Sequence, residues 1–151
     1  VNFEAYLMYP SPEKNIFNRI VTSPNLARMV GFQVFPIAVP RTAVTLPFLV
    51  YRRSNVIYEP EGALTGIVSM PQLSLQFASW STTYDGVREL ADALRDVLDG
   101  YTGTRSGVTI NDMRLTSEVD DFLDPTDSGA QLPPAYEVRQ LYQIRWQEAS
   151  E

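Results

Sequence analysis

Residues 84–110 read YDGVRELADALRDVLDGYTGTRSGVTI, and this stretch decides the fold. Tyr84, Val87, Leu90, Ala91, Leu94, Val97 and Leu98 recur at the spacing of one helical face, while Asp85, Arg88, Glu89, Asp92, Arg95, Asp96 and Asp99 take the other. Thr82, three residues before Asp85, gives a capping-box-like start with Asp in place of the usual Glu. Gly100 supplies the stop. The pattern predicts a helix over 83–99, about 24 Å long at 1.5 Å per residue, with one face on a sheet and the other in water. Gly100, Gly103 and Gly107 follow a helix and lead into a strand, the reverse of a phosphate loop, so they read as a helix stop and turn.

Strands flank this helix. QLSLQFASW (72–80) alternates, with Leu73, Leu75 and Phe77 on one face and Ser74, Gln76, Ala78 and Trp80 on the other. In GVTINDMRLTSEV (107–119), Val108 and Ile110 keep one parity and Met113 and Leu115 the other, which predicts a bulge near Asn111-Asp112. AYEVRQLYQIRWQE (135–148) places Tyr136, Val138, Tyr142, Ile144 and Trp146 on one face. At 3.3 Å per residue, positions 136–147 span about 40 Å, beyond the reach of the helix, so this strand either curls or pairs with something else.

The first half is more broken. Residues 1–12 read as an arm. Ser11, Pro12 and Glu13 give a helix start, and Ile16, Phe17, Ile20 and Val21 its apolar side. Ser23-Pro24 interrupts it and opens a second short helix carrying Leu26, Met29 and Val30, stopped by Gly31. Pro36, Pro40 and Pro47 make 32–47 an extended connector. FLVYRR (48–53) is a short strand. Residues 54–71 read as a long apolar loop or protruding hairpin, and 120–134, with four Asp and three Pro, as an acidic loop.

The chain has 151 residues, 44% hydrophobic and 20% charged, enough for one domain with a core. Its net charge of −6 argues against binding nucleic acid or an anionic membrane surface. All of the 12 basic residues except Lys14 are Arg. There is no Cys and no His, which removes Cys/His zinc sites, nucleophilic Ser-His-Asp and Cys-His systems, thiol redox chemistry and an imidazole switch. No apolar run reaches the ~18 residues of a membrane span. The opening VNFEAYLMYP lacks the basic region of a signal peptide. Asp120, Asp121, Asp124 and Asp127 lack EF-hand spacing and read as solvated. Arg52 and Arg53, adjacent in a strand, point to opposite faces and do not form a joint clamp. Trp146 keeps the core parity; Trp80 does not, and is a candidate anchor alongside Tyr58 and Tyr142.

The ordered set NIFNRIVTSPNLARMVGFQVFPIAVP, LPFLVYRRS, QLSLQFASWSTTYDGVRELADALRDVLDGYTGT, VTINDMRLTSEVDDFLDP and AYEVRQLYQIRWQE resembles the tail-completion, or tail-terminator, proteins of long-tailed bacteriophages. The resemblance covers about residues 13–148. The N-terminal VNFEAYLMYP and the 54–71 loop depart from it, which bears on local contacts. It implies a ring, usually a hexamer, that caps the tail tube and joins it to the head or neck. DNA passes through that ring without being specifically bound. No catalytic residue carries over, and no cofactor or metal is implied. Like charge in an acidic lumen would repel phosphate.

The reading is therefore one domain over 1–151 of α+β class: a mainly antiparallel sheet, mixed as the alternative, of about four strands in the order α-β-β-α-β-β, with helices on one face. The expected function is that of a structural, non-enzymatic virion protein at the tail–neck junction, made in the bacterial host cytoplasm. Its partners would be copies of itself, the tail tube protein and head or neck connector proteins, with no membrane. Val56, Ile57, Tyr58, Leu64, Ile67, Trp80, Asp120, Asp121, Asp124, Arg139 and Arg145 are the expected interface residues. The alternatives are a neck adaptor or stopper at the same joint, and a small-ligand-binding regulatory α+β module.

Overall fold

Proline and glycine divide the first elements. The computed structural model describes residues 11–37, 45–57, 71–123 and 135–148. Helix α1 spans Pro12–Val21 and α2 spans Pro24–Val30, each with Pro at its first turn, where the missing N–H costs nothing. Neither Ser11 nor Ser23 makes a side-chain capping bond. Gly31 ends α2 at φ 60°. Strand β1 (Val34–Pro36) follows, then β2 (Phe48–Ile57), β3 (Gln72–Ser81), helix α3 (Tyr84–Leu98), β4 (Gly103–Arg105), β5 (Val108–Leu123) and β6 (Ala135–Glu148).

The strands form one six-stranded sheet in the order β1-β2-β3-β6-β5-β4. Only β1 and β2 are parallel; every other neighbouring pair is antiparallel. The sheet is thus mixed, with six strands in place of about four. The two additional strands have three residues each. β1 lies in what reads as a Pro-rich connector. β4 forms a hairpin with β5 through Ser106 and Gly107, whose φ values of 53° and 76° are both positive, as a two-residue type I′ turn requires. A strand of three residues has no alternation to read.

β3 and β5 run in the same direction with β6 inserted between them, so α3 is the crossover of a split β-α-β unit. The long last strand finds its partners within the sheet. It is an inner strand, paired with β3 over Tyr136–Arg145 and with β5 along its full length. β5 shifts register between Ile110 and Asp112, as its parity change requires, and again between Leu115 and Ser117. The acidic stretch at Asp120–Leu123 is strand, and so is the stretch from Ser54 to Ile57 that reads as loop.

The helices cover the face bearing Leu73, Leu75, Phe77, Tyr142 and Ile144. From α3 come Val87, Leu90, Ala91, Ala93, Leu94 and Leu98, and from α1 and α2 Ile16, Ile20, Leu26 and Val30. Each large side chain among these contributes about 1.5–3 kcal/mol by leaving water. The α3 cap is Thr83, one residue later than the spacing suggests; its Oγ1 accepts from Gly86 N at 3.0 Å. At the far end, Gly100 at φ 80° turns the chain so that its N–H donates to Met113 O at 2.7 Å.

Two buried amides pin the layers together. Asn15, fully buried, donates through Nδ2 to Val108 O at 2.7 Å and Gly103 O at 3.1 Å, and accepts from Tyr101 Oη at 2.7 Å. Gln140, also fully buried, donates to Ala91 O of α3 at 3.2 Å. With these partners neither amide incurs the penalty of an unpaired buried polar group.

Candidate functional site

Outside the core, three surfaces collect the side chains of interest. The first is the helix-covered end of β5. Because the second bulge resets its parity, Glu118, Asp120 and Phe122 face α3. Arg88 of α3 reaches across: Nη1 lies 2.5 Å from Glu118 Oε1 and 3.2 Å from Asp120 Oδ1, and Nη2 lies 3.1 Å from Asp92 Oδ1. Tyr84 Oη donates to Asp120 Oδ2 at 3.0 Å. This bond, and then the carboxylate's charge, raise the Tyr84 pKa above its ordinary value. Phe122 and Tyr136 (4.9 Å between ring centroids) and Tyr84 and Tyr136 (5.9 Å) close the cluster. One guanidinium here faces three carboxylates, so this end of the sheet stays acidic.

The second surface is the opposite sheet face, where no described helix packs. Trp80 stacks on Phe48 with centroids 6.2 Å apart, and Phe48 meets Phe35 edge-on at 6.4 Å. Val50 and Ala78, paired in register, continue the apolar patch. Alongside it Arg139 sits between two acids: Nη2 is 3.6 Å from Asp121 Oδ2, and Nε is 3.2 Å from Glu137 Oε1. That Nε lacks hydrogen-bond alignment, so the contact is one of charge. Burial raises the Glu137 pKa; Asp121 adds to the rise, and Arg139 opposes it. Arg145 is exposed on the same face, in register with Gln72 and Asp112.

The third surface is the β1 flank. The N–H of Ile37 donates to Tyr51 O at 2.8 Å, and Ile37 then turns at φ 67°. Positive φ is rare for a β-branched residue and stores strain. Phe32 and Ile37 are 78% and 76% exposed, the most exposed large apolar side chains among the described residues. Arg53 is bound within the chain: its Nε pairs with Glu13 Oε1, and its Nη2 donates to Glu13 Oε2 at 3.0 Å. It is therefore neither a ligand clamp nor simply solvated.

The structure divides the expected interface residues accordingly. Trp80, Asp121, Arg139 and Arg145 lie on the outer sheet face, and Asp120 lies on the helix side beneath Tyr84 and Arg88. Val56 packs against the core, which removes it from any protruding loop. Ile57 pairs with Gln72 as the last residue of β2. Tyr58, Leu64, Ile67 and Asp124 lie outside the described residues. Phe32, Phe35, Ile37 and Phe48 were not singled out, because the proline-broken stretch around them carries no period. Pro36 and the aromatics near it were the available signal.

Among the described residues, no three or more acids cluster in a way that could hold a metal ion. No helix there is long and apolar enough to cross a membrane.

Comparison with known proteins gives two findings. A family model described as Tail completion protein gp17 matches residues 14–128. A chain of a solved structure titled "Virion of native gene transfer agent (GTA) particle" shares the fold, with a TM-score of 0.68 at 13% identity, covering 89% of this chain and 92% of that one. No curated protein matched by sequence.

Proposed function

The chain belongs to the Tail completion protein gp17 family, and on that premise we propose that it is a structural virion protein. Six copies form a ring that caps the tail tube and joins it to the head or neck. It acts by self-association and shape and catalyses no reaction. The observation that carries this reading is the family match over residues 14–128. The surfaces are consistent with it. An outer sheet face offering Phe35, Phe48 and Trp80 is suited to protein contact. Arg88 and Arg139, each between carboxylates, stiffen the acidic end. A ring of chains at −6 each lets DNA pass without holding it.

Particles lacking the protein test the proposal. Overlong or unsealed tails in electron micrographs are expected. Normal tails on heads that leak DNA would point to a neck adaptor instead. Copy number per particle tests the ring, which is expected at about six times the 17.0 kDa chain.

A further inference from the structure

The two edge strands leave most of their neighbours open. β4 pairs with β5 only over Val108–Ile110. The turn after α3 occupies the next part of that edge, through Gly100 N to Met113 O and Leu115 N to Asp99 Oδ1 at 3.0 Å. From the bulge at Thr116 to Leu123, no described strand lies beside β5 on that side. The amide of Phe122 donates to the adjacent Asp121 carboxylate at 2.8 Å. On the opposite flank, β1 pairs with β2 only over Leu49–Tyr51, because Ile37 turns away. From Arg52 to Ile57 no described strand covers β2. A groove lined by Ser11, Glu13, Pro36, Ile37, Tyr51, Arg52 and Arg53 runs there.

The open edges differ in charge. TSEVDDFL (116–123) carries three acids and no base; RRSNVI (52–57) carries two arginines and no acid. Around the first, Asp92, Glu118, Asp120, Asp121 and Glu137 outnumber Arg88 and Arg139. Around the second, Arg53 pairs with Glu13, and Arg52 is exposed, close enough to Glu137 to lower that carboxyl's pKa against its burial. Their directions also suit each other. β2 and β5 are antiparallel within one sheet, so a second copy brought alongside by rotation, without inversion, presents β2 antiparallel to β5.

We propose that the ring interface is a head-to-tail strand pairing, in which the acidic free edge of β5 (116–123) enters the groove beside the basic free edge of β2 (52–57) of the next copy. This rests on the ring reading above and deepens it by naming the contact. The interface is heterologous, so it propagates around a ring and covers both of these open stretches in every copy.

The absence of cysteine makes a clean test. Val119→Cys is combined with Asn55→Cys, and Asp121→Cys with Arg52→Cys, pairs that lie on one sheet face and fall opposite each other when 116–123 runs antiparallel to 52–57, and assembled particles are oxidised. Within one chain β2 and β5 are separated by β3 and β6, about 14 Å, too far for a disulfide. A non-reducing gel should show a ladder from dimer to closed ring for at least one pair, and monomer for each single variant. Monomer for both pairs, in particles that retain several copies, would overturn the edge pairing and leave the ring reading standing. Dimers from Val119→Cys or Asp121→Cys alone would overturn it in favour of like-edge pairing. One wild-type copy per particle would overturn the ring itself. A charge exchange guards against variants that fail to fold. Arg52→Glu and Asp121→Arg should each cut incorporation into particles tenfold or more, and together restore it to within about twofold. Two singles without effect would also sink the proposal.

Discussion

Asn15→Ala should be among the most damaging single changes in this domain, although it removes only one small amide. In the native chain that amide gathers three partners, on β5, on β4 and in the turn before β4: Val108 O, Gly103 O and Tyr101 Oη. It is fully buried, so water does not replace what is lost. A typical hydrogen bond contributes about 1 kcal/mol net, and an orphaned buried polar group costs about 1–3 kcal/mol. Three orphans of which part can relax give an expected loss of about 3 kcal/mol. That is a large share of the roughly 5–15 kcal/mol holding a domain together. With a urea m-value of about 1–3 kcal/mol/M, the denaturation midpoint should fall by about 1–3 M. Tyr101→Phe breaks one of the three bonds and should cost about 1 kcal/mol. The double variant should cost less than the sum of the singles, with a coupling of about 1 kcal/mol, because the Tyr101–Asn15 bond is counted in both. A loss under about 1 kcal/mol for Asn15→Ala, or full additivity with Tyr101→Phe, would refute the idea that this amide ties α1 to the β4–β5 hairpin.

Arg88→Ala should cost only about 1 kcal/mol in denaturant titration, since its partners are partly exposed. Faster amide exchange should nevertheless appear at Glu118–Asp120, where three carboxylates lose their shared cation. Gly107→Ala should destabilise by about 1–2 kcal/mol, because an L side chain is strained at its φ of 76°. The Glu137 carboxyl has its pKa raised by burial above the ordinary 4.5. The native state therefore holds this proton more tightly than the unfolded chain does. Its contribution is greatest below the ordinary value and is lost as pH rises through the native one. Glu137→Gln should flatten the pH dependence of stability in that window. It should leave stability at pH 7 equal or slightly higher, and a steeper dependence would contradict this reading.

The elements read best from sequence are those with enough residues to show a period. α3 shows its whole stripe, and β6 is bounded at 135 and 148 as the alternation indicates. The parity break in β5 announces its first bulge. What escaped the sequence reading has a physical reason in each case. β1 and β4 are too short for alternation and exist because longer strands offer them a ladder. Asp120 to Leu123 looks like an acidic loop because its charges hide the strand; pairing with β6 and the cation of Arg88 hold it in place. Thr82 and Thr83 are equivalent on paper, and only the helix phase selects Thr83. Asn15 and Gln140 look like surface residues until the facing carbonyls are placed. Trp80 lies on the outer sheet face, as its parity against the core of its own strand indicates. Val56 looks equally apolar in sequence, but it is strand and packs against the core.

The two open flanks raise a question of restraint, because an exposed ladder invites any strand in reach. Both are guarded by means visible in the chain. β5 carries a bulge at Thr116, a carboxylate on the Phe122 amide and an excess of acids. β2 shifts register between Arg53 and Asn55 and carries two arginines. Two β5 edges meeting each other would bring several carboxylates together, and two β2 edges would bring arginines together. Like charges placed opposite each other across strands are destabilising. Only the unlike pairing relieves both flanks, and it cannot stop at two copies, because each dimer still exposes one edge of each kind. In the proposed ring, charge segregation along the sequence would thus do what shape alone would not: it would disfavour the closed two-fold dimer, and growth around the ring would cover both open stretches in every copy.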